Sequence, residues 1–235
     1  MNWRPAPASE TAAAARTSGL GHGTIQRVQA LITEVLNYIG LSAFALSGAL
    51  MGVRRQFDAI GMTVLATITA LGGGVIRDLL MGSVPPDALT HTWWLVVPLV
   101  ATALTFFFHP QVTRLRRAVQ FFDAVGLGLF CTSATAKALA FGLSPLASVI
   151  LGVVTGIGGG ILRDLLCGEI PAVLRRDSQL YAIPAILGCT VAVTALYFGA
   201  PTTLTQFLCA AFITGFRLLA IWRKWRGPVP ATPHA

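Results

Sequence analysis

Glycine, arginine and aspartate recur together at one fixed spacing in two apolar stretches of this sequence. Residues 72–85 read GGGVIRDLLMGSVP, and residues 158–171 read GGGILRDLLCGEIP. Charged side chains and backbone groups at such positions could bind an ion or a small polar solute. A nucleotide phosphate site is not favoured, because neither copy fits G-x-G-x-x-G or ends in GKS or GKT. The two segments therefore indicate binding or permeation and give no sign of catalysis.

The three adjacent glycines of each segment lie inside an apolar run, where each glycine weakens a helix by about 1 kcal/mol relative to alanine. We expect each triplet to kink or interrupt its helix. Backbone groups freed in a membrane are tolerated where protein buries them or where they line a watery cavity, so one interpretation is an interrupted helix beside a permeation path. Close packing of helices through small residues is the other. The candidate pore or solute-binding residues are Gly72, Gly73, Gly74, Gly158, Gly159, Gly160, Thr69, Thr155, Asn37 and Asp123.

A second group of residues consists of candidates for gating or structural ion pairs: Arg77, Asp78, Arg163, Asp164 and Lys137. Neighbouring residues of a helix point about 100° apart, so we expect each charge to find its partner on another helix and to clamp the interrupted helix. Direct contact with a solute is the alternative, and arginine can also extend to the membrane surface. Lys137 either extends to the surface or is a movable charge in a pore or gate. Asp123 either attracts cations or caps its helix.

The composition is that of a membrane protein. Of the 235 residues, 54% are hydrophobic and 11% are charged, whereas a soluble domain carries about 25% charged residues. The formal net charge is +8, but the arginines lie in short segments between apolar runs, so membrane topology accounts for them and no nucleic acid partner is expected. The cysteines form no C-x-x-C pair, the histidines show no ligand spacing, and no catalytic pattern is present. We expect no metal, no cofactor and no enzyme activity.

Seven apolar runs have about the length that a helix needs to cross a bilayer. They cover residues 31–51, 59–80, 92–108, 118–140, 145–166, 180–198 and 204–222. Arginine and lysine concentrate after the first, third, fifth and seventh runs, which places them on one side of the membrane. By the positive-inside rule the C-terminus is cytoplasmic and the N-terminus is outside.

The duplication extends beyond the glycine segments. At the same offset of 86 positions, Asn37 corresponds to Asp123 and Pro98 corresponds to Pro184. Because each copy contains three spans, an odd number, consecutive copies must be inverted relative to one another in the membrane. The expected fold class is all-α: a polytopic membrane protein with seven transmembrane helices, as two inverted three-helix repeats plus a seventh helix. The expected divisions are a disordered N-terminal tail at 1–28, a first repeat at 29–112, an inverted second repeat at 113–200, a seventh helix at 201–226 and a disordered C-terminal tail at 227–235.

Paired GGG-x-x-RD segments in a protein of three, three and one spans resemble the bacterial family of tandem "glycine transporter" domains, which is related to the trimeric intracellular cation (TRIC) channels. The resemblance covers residues 29–222 and rests on the doubled motif. It implies a homotrimer in the bacterial plasma (inner) membrane, with a pore in each protomer between glycine-kinked second and fifth spans. Monovalent cations, chiefly K⁺, would pass through it. In the animal channels a lysine on the fourth span is tied to voltage gating, and Lys137 is the nearest candidate.

Three functions stay open from the sequence. A cation channel needs a hydrated path with oxygen ligands, which the two copies supply. A secondary transporter of glycine or another small zwitterion would suit inverted repeats, with half-helix N-termini holding a carboxylate. A membrane scaffold would use the glycines only for helix packing.

Overall fold

The computed structural model describes residues 8–108, 112–175 and 180–225. Within these ranges the chain is helical and forms no β-strand, which confirms the expected all-α class. The helices are α1 (Ala8–Arg54), α2 (Ala59–Met81), α3 (Asp87–Thr90), α4 (Thr92–Phe108), α5 (Val112–Ala140), α6 (Pro145–Leu166), α7 (Ala182–Tyr197) and α8 (Thr202–Arg223).

The chain divides into two compact units, Met1–Val35 and Leu36–Ala235. The first unit contains the N-terminal part of α1. The expected N-terminal tail is helical from Ala8 onward, in keeping with the high helix propensity of its alanines. Residues 1–7 and the expected C-terminal tail at 227–235 lie outside the described residues. The divisions between the repeats stay a prediction.

Both glycine triplets lie inside continuous helices. α2 begins after Asp58, whose carboxylate accepts a hydrogen bond from the backbone N–H of Gly61, and it ends at Gly82 in a left-handed conformation. α6 begins after Ser144, whose side chain accepts from the N–H of Ala147. The expected interruption at the triplets is therefore wrong. In apolar surroundings a freed backbone group has no water to bind, so the helical hydrogen bonds persist despite the low propensity of glycine.

The triplets bring α2 and α6 into backbone contact. A Cβ atom on Gly73 would lie 2.2 Å from the carbonyl oxygen of Thr155, and one on Gly159 would lie 2.2 Å from that of Thr69. The two contacts are reciprocal: Gly73 of α2 meets a residue of α6 that precedes Gly159, and Gly159 meets a residue of α2 that precedes Gly73. The two helices are therefore antiparallel at their crossing and are related by a pseudo-twofold axis. This geometry is the close packing of helices through small residues.

A second reciprocal contact joins α1 and α5. The Phe44 ring lies against Gly126, and the Phe130 ring lies against Gly40. The two ring centroids are 5.3 Å apart. Because these pairs have the same offset as the glycine segments, the repeat is visible in the packing. The antiparallel crossing places the C-terminal ends of α2 and α6, with their charged residues, on opposite sides of it.

In the part of the chain that the structure describes, five helical segments are long and apolar enough to cross a membrane: Leu31–Arg54, Ala59–Met81, Leu115–Ala140, Pro145–Leu166 and Thr202–Arg223. α4 and α7 are apolar but have only 17 and 16 residues. At 1.5 Å per residue each is about 25 Å long, whereas the hydrocarbon core is about 30 Å thick. The count of seven spans therefore stays a prediction. α8 packs against α5 and α7.

Candidate functional site

The buried Arg163 side chain joins three helices. Its Nη1 atom donates to Asp123 Oδ1 of α5 at 2.7 Å and to Ser47 Oγ of α1 at 2.6 Å. Its Nε and Nη2 atoms donate to Asp164 Oδ1 at 3.0 and 2.8 Å. Arg163 is 4% exposed and Asp123 is 2% exposed. We call Ser47, Asp123, Arg163 and Asp164 the Arg163 cluster.

A corresponding cluster surrounds Arg77 at the end of α2. Arg77 Nε donates to Asp78 Oδ1 at 2.8 Å, and Nη2 donates to Asp87 Oδ2 at 3.1 Å. Lys137 of α5 donates from Nζ to Asp78 Oδ1 at 2.9 Å and to Asp87 Oδ2 at 2.5 Å. We call Arg77, Asp78, Asp87 and Lys137 the Arg77 cluster. Lys137 is thus paired with carboxylates of α2 and α3.

The adjacent Arg-Asp residues contact each other in both clusters. These contacts were not expected and add to the expected partners on other helices, because the arginine side chain is long enough to bend back onto its neighbour. The second carboxylate oxygen of each aspartate holds the chain that follows the helix. Asp78 Oδ2 accepts from the N–H of Asp87, and Asp164 Oδ2 accepts from the N–H of Ala172, both at 2.9 Å. Each aspartate therefore fixes both an arginine and a loop.

A small cavity lies beside each cluster. The Arg77 cavity has a volume of about 20 Å³ and is lined by residues that include Asn37, Gly74, Asp78 and Trp94. The Arg163 cavity has a volume of about 60 Å³. A cavity needs about 10–15 Å³ to hold a water, so the first has room for one water-sized species and the second for several. The residues lining the two cavities do not overlap.

The rim of the Arg163 cavity is rich in arginine. Glu169 pairs with Arg54 at 3.4 Å, with Arg175 at 3.3 Å and with Arg55 at 2.5 Å. Arg116 also lines this cavity. The pairs at the rim are partly exposed, and such ion pairs contribute about 0–1 kcal/mol each.

Some of the predicted pore residues lie away from both cavities. The hydroxyls of Thr69 and Thr155 are buried and donate to the carbonyl oxygens of Leu65 and Leu151, both at 2.6 Å within their own helices. They are therefore engaged in helix packing in this arrangement. Of the six described triplet glycines, Gly74 lines one of these two cavities and the other five line neither. The roles of all the predicted site residues stay predictions.

Sequence reasoning missed several members of this site. Ser47 and Asp87 bind the two arginines, while Tyr181 and Arg217 lie beside the Arg163 cluster. Asp87 could have been suggested as a lone acid following the first glycine segment. Arg217 could have been noticed because it is a charge inside the apolar seventh run. Within the described residues, no group of three or more histidine, cysteine or acidic side chains is placed to hold a metal ion.

All four cysteines, Cys131, Cys167, Cys189 and Cys209, are buried free thiols. Burial raises the pKa of the Cys167 thiol, which lies just beyond the end of α6. These residues behave as small apolar side chains.

The fold and the two clusters define a class: an all-helical membrane protein built from two related halves, each with an ion-pair cluster around a buried arginine. The chain belongs to the glycine transporter family, because the model of that family matches residues 34–110 and 120–197. The chain is 43% identical over 190 residues to a UPF0126 membrane protein of Deinococcus radiodurans, covering 81% of this chain and 85% of that one. It is 36% identical to the UPF0126 inner membrane protein YadS of Escherichia coli, covering 83% of this chain and 93% of that one. The protein is thus a multi-pass protein of the bacterial inner membrane.

Solved structures of cation channels share this fold. A TRIC cation channel studied for its conductance superposes with a TM-score of 0.76 at 34% identity, over 86% of this chain and 98% of that one. The TRIC channel orthologue of Rhodobacter sphaeroides superposes with a TM-score of 0.76 at 36% identity, over 82% and 98%. A Caenorhabditis elegans TRIC channel with bound Ca²⁺ is 14% identical at a TM-score of 0.55 and supports the fold alone. The chain is therefore similar in fold to membrane channels.

Proposed function

We propose that the protein is a channel for monovalent cations, with K⁺ as its principal ion, and that it works as a homotrimer with one permeation path in each protomer. The observation that carries this proposal is the likeness to TRIC cation channels over more than four fifths of the chain, at 34–36% identity. The trimer follows from the same likeness, because those channels are trimeric.

The path that we propose runs from the Arg77 cavity, past the crossing of α2 and α6, to the Arg163 cavity. Two features support it. The cavities lie beside corresponding ends of two antiparallel helices, and each contains a buried carboxylate, Asp78 or Asp164, that could replace part of the hydration shell of a cation. The helices touch between the cavities, so the described arrangement is a closed one.

The ion pairs support the closed state. Asp78 is occupied by Arg77 and Lys137, and Asp123 is occupied by Arg163. The positive charge of an arginine or lysine bound to a carboxylate weakens the attraction of that carboxylate for a passing cation. In this proposal the pairs therefore exchange partners as the helices move and the path opens.

Reconstitution into liposomes tests the proposal. We expect the purified protein to carry K⁺ under a membrane potential, with discrete single-channel events in planar bilayers. Empty liposomes and liposomes with an unrelated helical membrane protein are the controls. Absence of K⁺ flux from correctly folded protein would contradict the proposal, and a scaffold role would be favoured if glycine uptake were absent as well.

A carrier for glycine or another small zwitterion is the second candidate, and two observations favour it. The cavities share no lining residue, so no continuous open path joins them, and each lies beside both a guanidinium and a carboxylate. Saturable uptake of radiolabelled glycine that depends on a proton or sodium gradient, without channel currents, would support the carrier and overturn the channel.

A further inference from the structure

α8 lies outside the duplicated part of the sequence, and its Arg217 is buried against the second repeat. The guanidinium carbon lies 4.6 Å from the centroid of the Tyr181 ring, and Nη1 donates to the carbonyl oxygen of Leu180 at 3.1 Å. The N–H of Leu180 donates to the carbonyl oxygen of Trp225, just after α8, at 3.1 Å. Arg217 of α8 and Trp225 just after it therefore hold both backbone groups of Leu180, and Arg217 fixes the ring of the residue that follows.

The Tyr181 side chain extends from the start of α7 to the Arg163 cluster. Its hydroxyl oxygen lies 2.6 Å, and Asp123 Oδ1 lies 3.0 Å, from the position that a Cβ atom on Gly160 would take. The phenol therefore faces the carboxylate that binds Arg163 at 2.7 Å. Glycine at position 160 leaves the room that the hydroxyl occupies.

The first repeat differs at the corresponding place. Apart from its chain neighbours and the backbone of its own helix, no described atom lies within 4 Å of a Cβ position on Gly74, the counterpart of Gly160. Gly74 instead lines the Arg77 cavity together with Asn37, the counterpart of Asp123. Leu95 stands at the position that corresponds to Tyr181. One repeat thus has open space beside its third glycine, and the other has a phenol there.

We propose that Tyr181 is a gate at the Arg163 end of the path and that Arg217 is the residue that positions it. This inference rests on the proposed channel function. In the closed state the phenol fills the space beside Gly160 and faces Asp123, which lines the Arg163 cavity. Movement of the ring away from Gly160 extends that cavity toward the crossing of α2 and α6. Arg217 opposes the movement because its stacking and its hydrogen bond to Leu180 hold the ring in place.

Single-channel recording of variants tests the gate. We expect Arg217→Ala to raise the ratio of open to closed channels about tenfold. The variant loses a hydrogen bond that exists only in the closed state and whose donor is charged, and such a bond stabilises that state by enough to account for the change. Arg217→Lys keeps the charge but not the planar stacking, so its increase should be smaller. Tyr181→Ala and Gly160→Ala should act in the same direction as Arg217→Ala, since the first removes the phenol and the second places a methyl group where the hydroxyl lies.

Two matched controls separate the gate from general damage. Arg223→Ala removes another arginine of α8, one that lies over Trp222. Gly215→Ala makes the same change as Gly160→Ala at a position of α8 where a Cβ atom meets no described atom within 4 Å. We expect both controls to keep the wild-type open probability. A variant that is merely destabilised gives fewer active channels, not channels that open more often, and the ratio of K⁺ to Na⁺ permeability stays unchanged if only the gate is altered.

The outcomes distinguish the two proposals. Wild-type protein without K⁺ flux would overturn the channel and the gate together. Wild-type K⁺ currents with unchanged open probability in the Tyr181, Gly160 and Arg217 variants would overturn the gate alone. If Arg217→Ala does not fold, Arg217→Lys and Tyr181→Phe carry the test, and unchanged opening in both would equally overturn the gate.

Discussion

Asp123 and Asn37 are counterparts in the two repeats, and the carboxylate of Asp123 binds Arg163 in the buried second cluster. Replacing Asp123 by asparagine makes the second repeat resemble the first. We expect the free energy of unfolding to fall by about 1.5–3 kcal/mol, because a buried arginine loses a charged acceptor. Denaturant or thermal unfolding of the purified protein in detergent measures the change.

Asp87→Asn is the matched control for this prediction. Asp87 also binds an arginine, Arg77, but its side chain is 29% exposed, whereas that of Asp123 is 3% exposed. Water screens the exposed pair, so we expect a loss of about 0–1 kcal/mol. Equal losses in the two variants would show that burial of Asp123 does not strengthen its pairing.

At the residue scale, the sequence identified the charges but not their partners. The Arg-Asp repeat and a charge inside an apolar run are visible without a structure, which is why Arg77, Arg163 and Lys137 could be predicted as ion-pair candidates. Lys137 lies 59 positions from Asp78 in the chain. Their pairing depends on how α5 packs near α2, and local sequence patterns do not predict how two distant helices pack.

At the scale of elements, the close packing of α2 against α6 can be tested by single substitutions. Alanine at position 73 or 159 would place a methyl group 2.2 Å from a backbone carbonyl oxygen of the other helix. A backbone atom cannot rotate away, so the helices must separate. We expect each substitution to lower the free energy of unfolding by about 1–3 kcal/mol, measured by thermal unfolding in detergent.

Gly215→Ala provides the comparison for the helix crossing. Its methyl group meets no described atom within 4 Å, and alanine favours a helix over glycine by about 1 kcal/mol. We expect this variant to be as stable as the wild type or more so. If the variants at 73 and 159 behave like Gly215→Ala, the backbone contact between α2 and α6 is not a constraint on stability.

The glycine triplets also show where sequence reasoning reached its limit for elements. Helix propensity alone favours an interruption at three adjacent glycines. The structure instead continues both helices, because each triplet packs against the other and apolar surroundings penalise a free backbone group. Propensity is a local quantity, whereas the partner of Gly73 lies on a helix that begins at Pro145. The duplication was visible in the sequence. The sequence did not show that the two glycine segments pack against each other.

For the whole molecule, the distribution of arginine predicts the orientation in the membrane. We expect seven spans with the C-terminus in the cytoplasm, from the arginine distribution. Green fluorescent protein fused after residue 225 should fluoresce, and alkaline phosphatase fused there should be inactive. Phosphatase fused after residue 200, before α8, should be active because that point lies on the other side. The same reporter activity at both positions would contradict the assignment of α8 as a span.

The burial of every thiol in this chain has a practical consequence. A maleimide that cannot cross membranes should leave the native protein unlabelled, since Cys131, Cys167, Cys189 and Cys209 are all inaccessible. The wild-type protein then gives no labelling signal of its own, so no native cysteine has to be replaced before a new one is introduced. A single cysteine introduced at any loop would report which compartment reaches it, and one at a cavity wall would report whether that cavity is open.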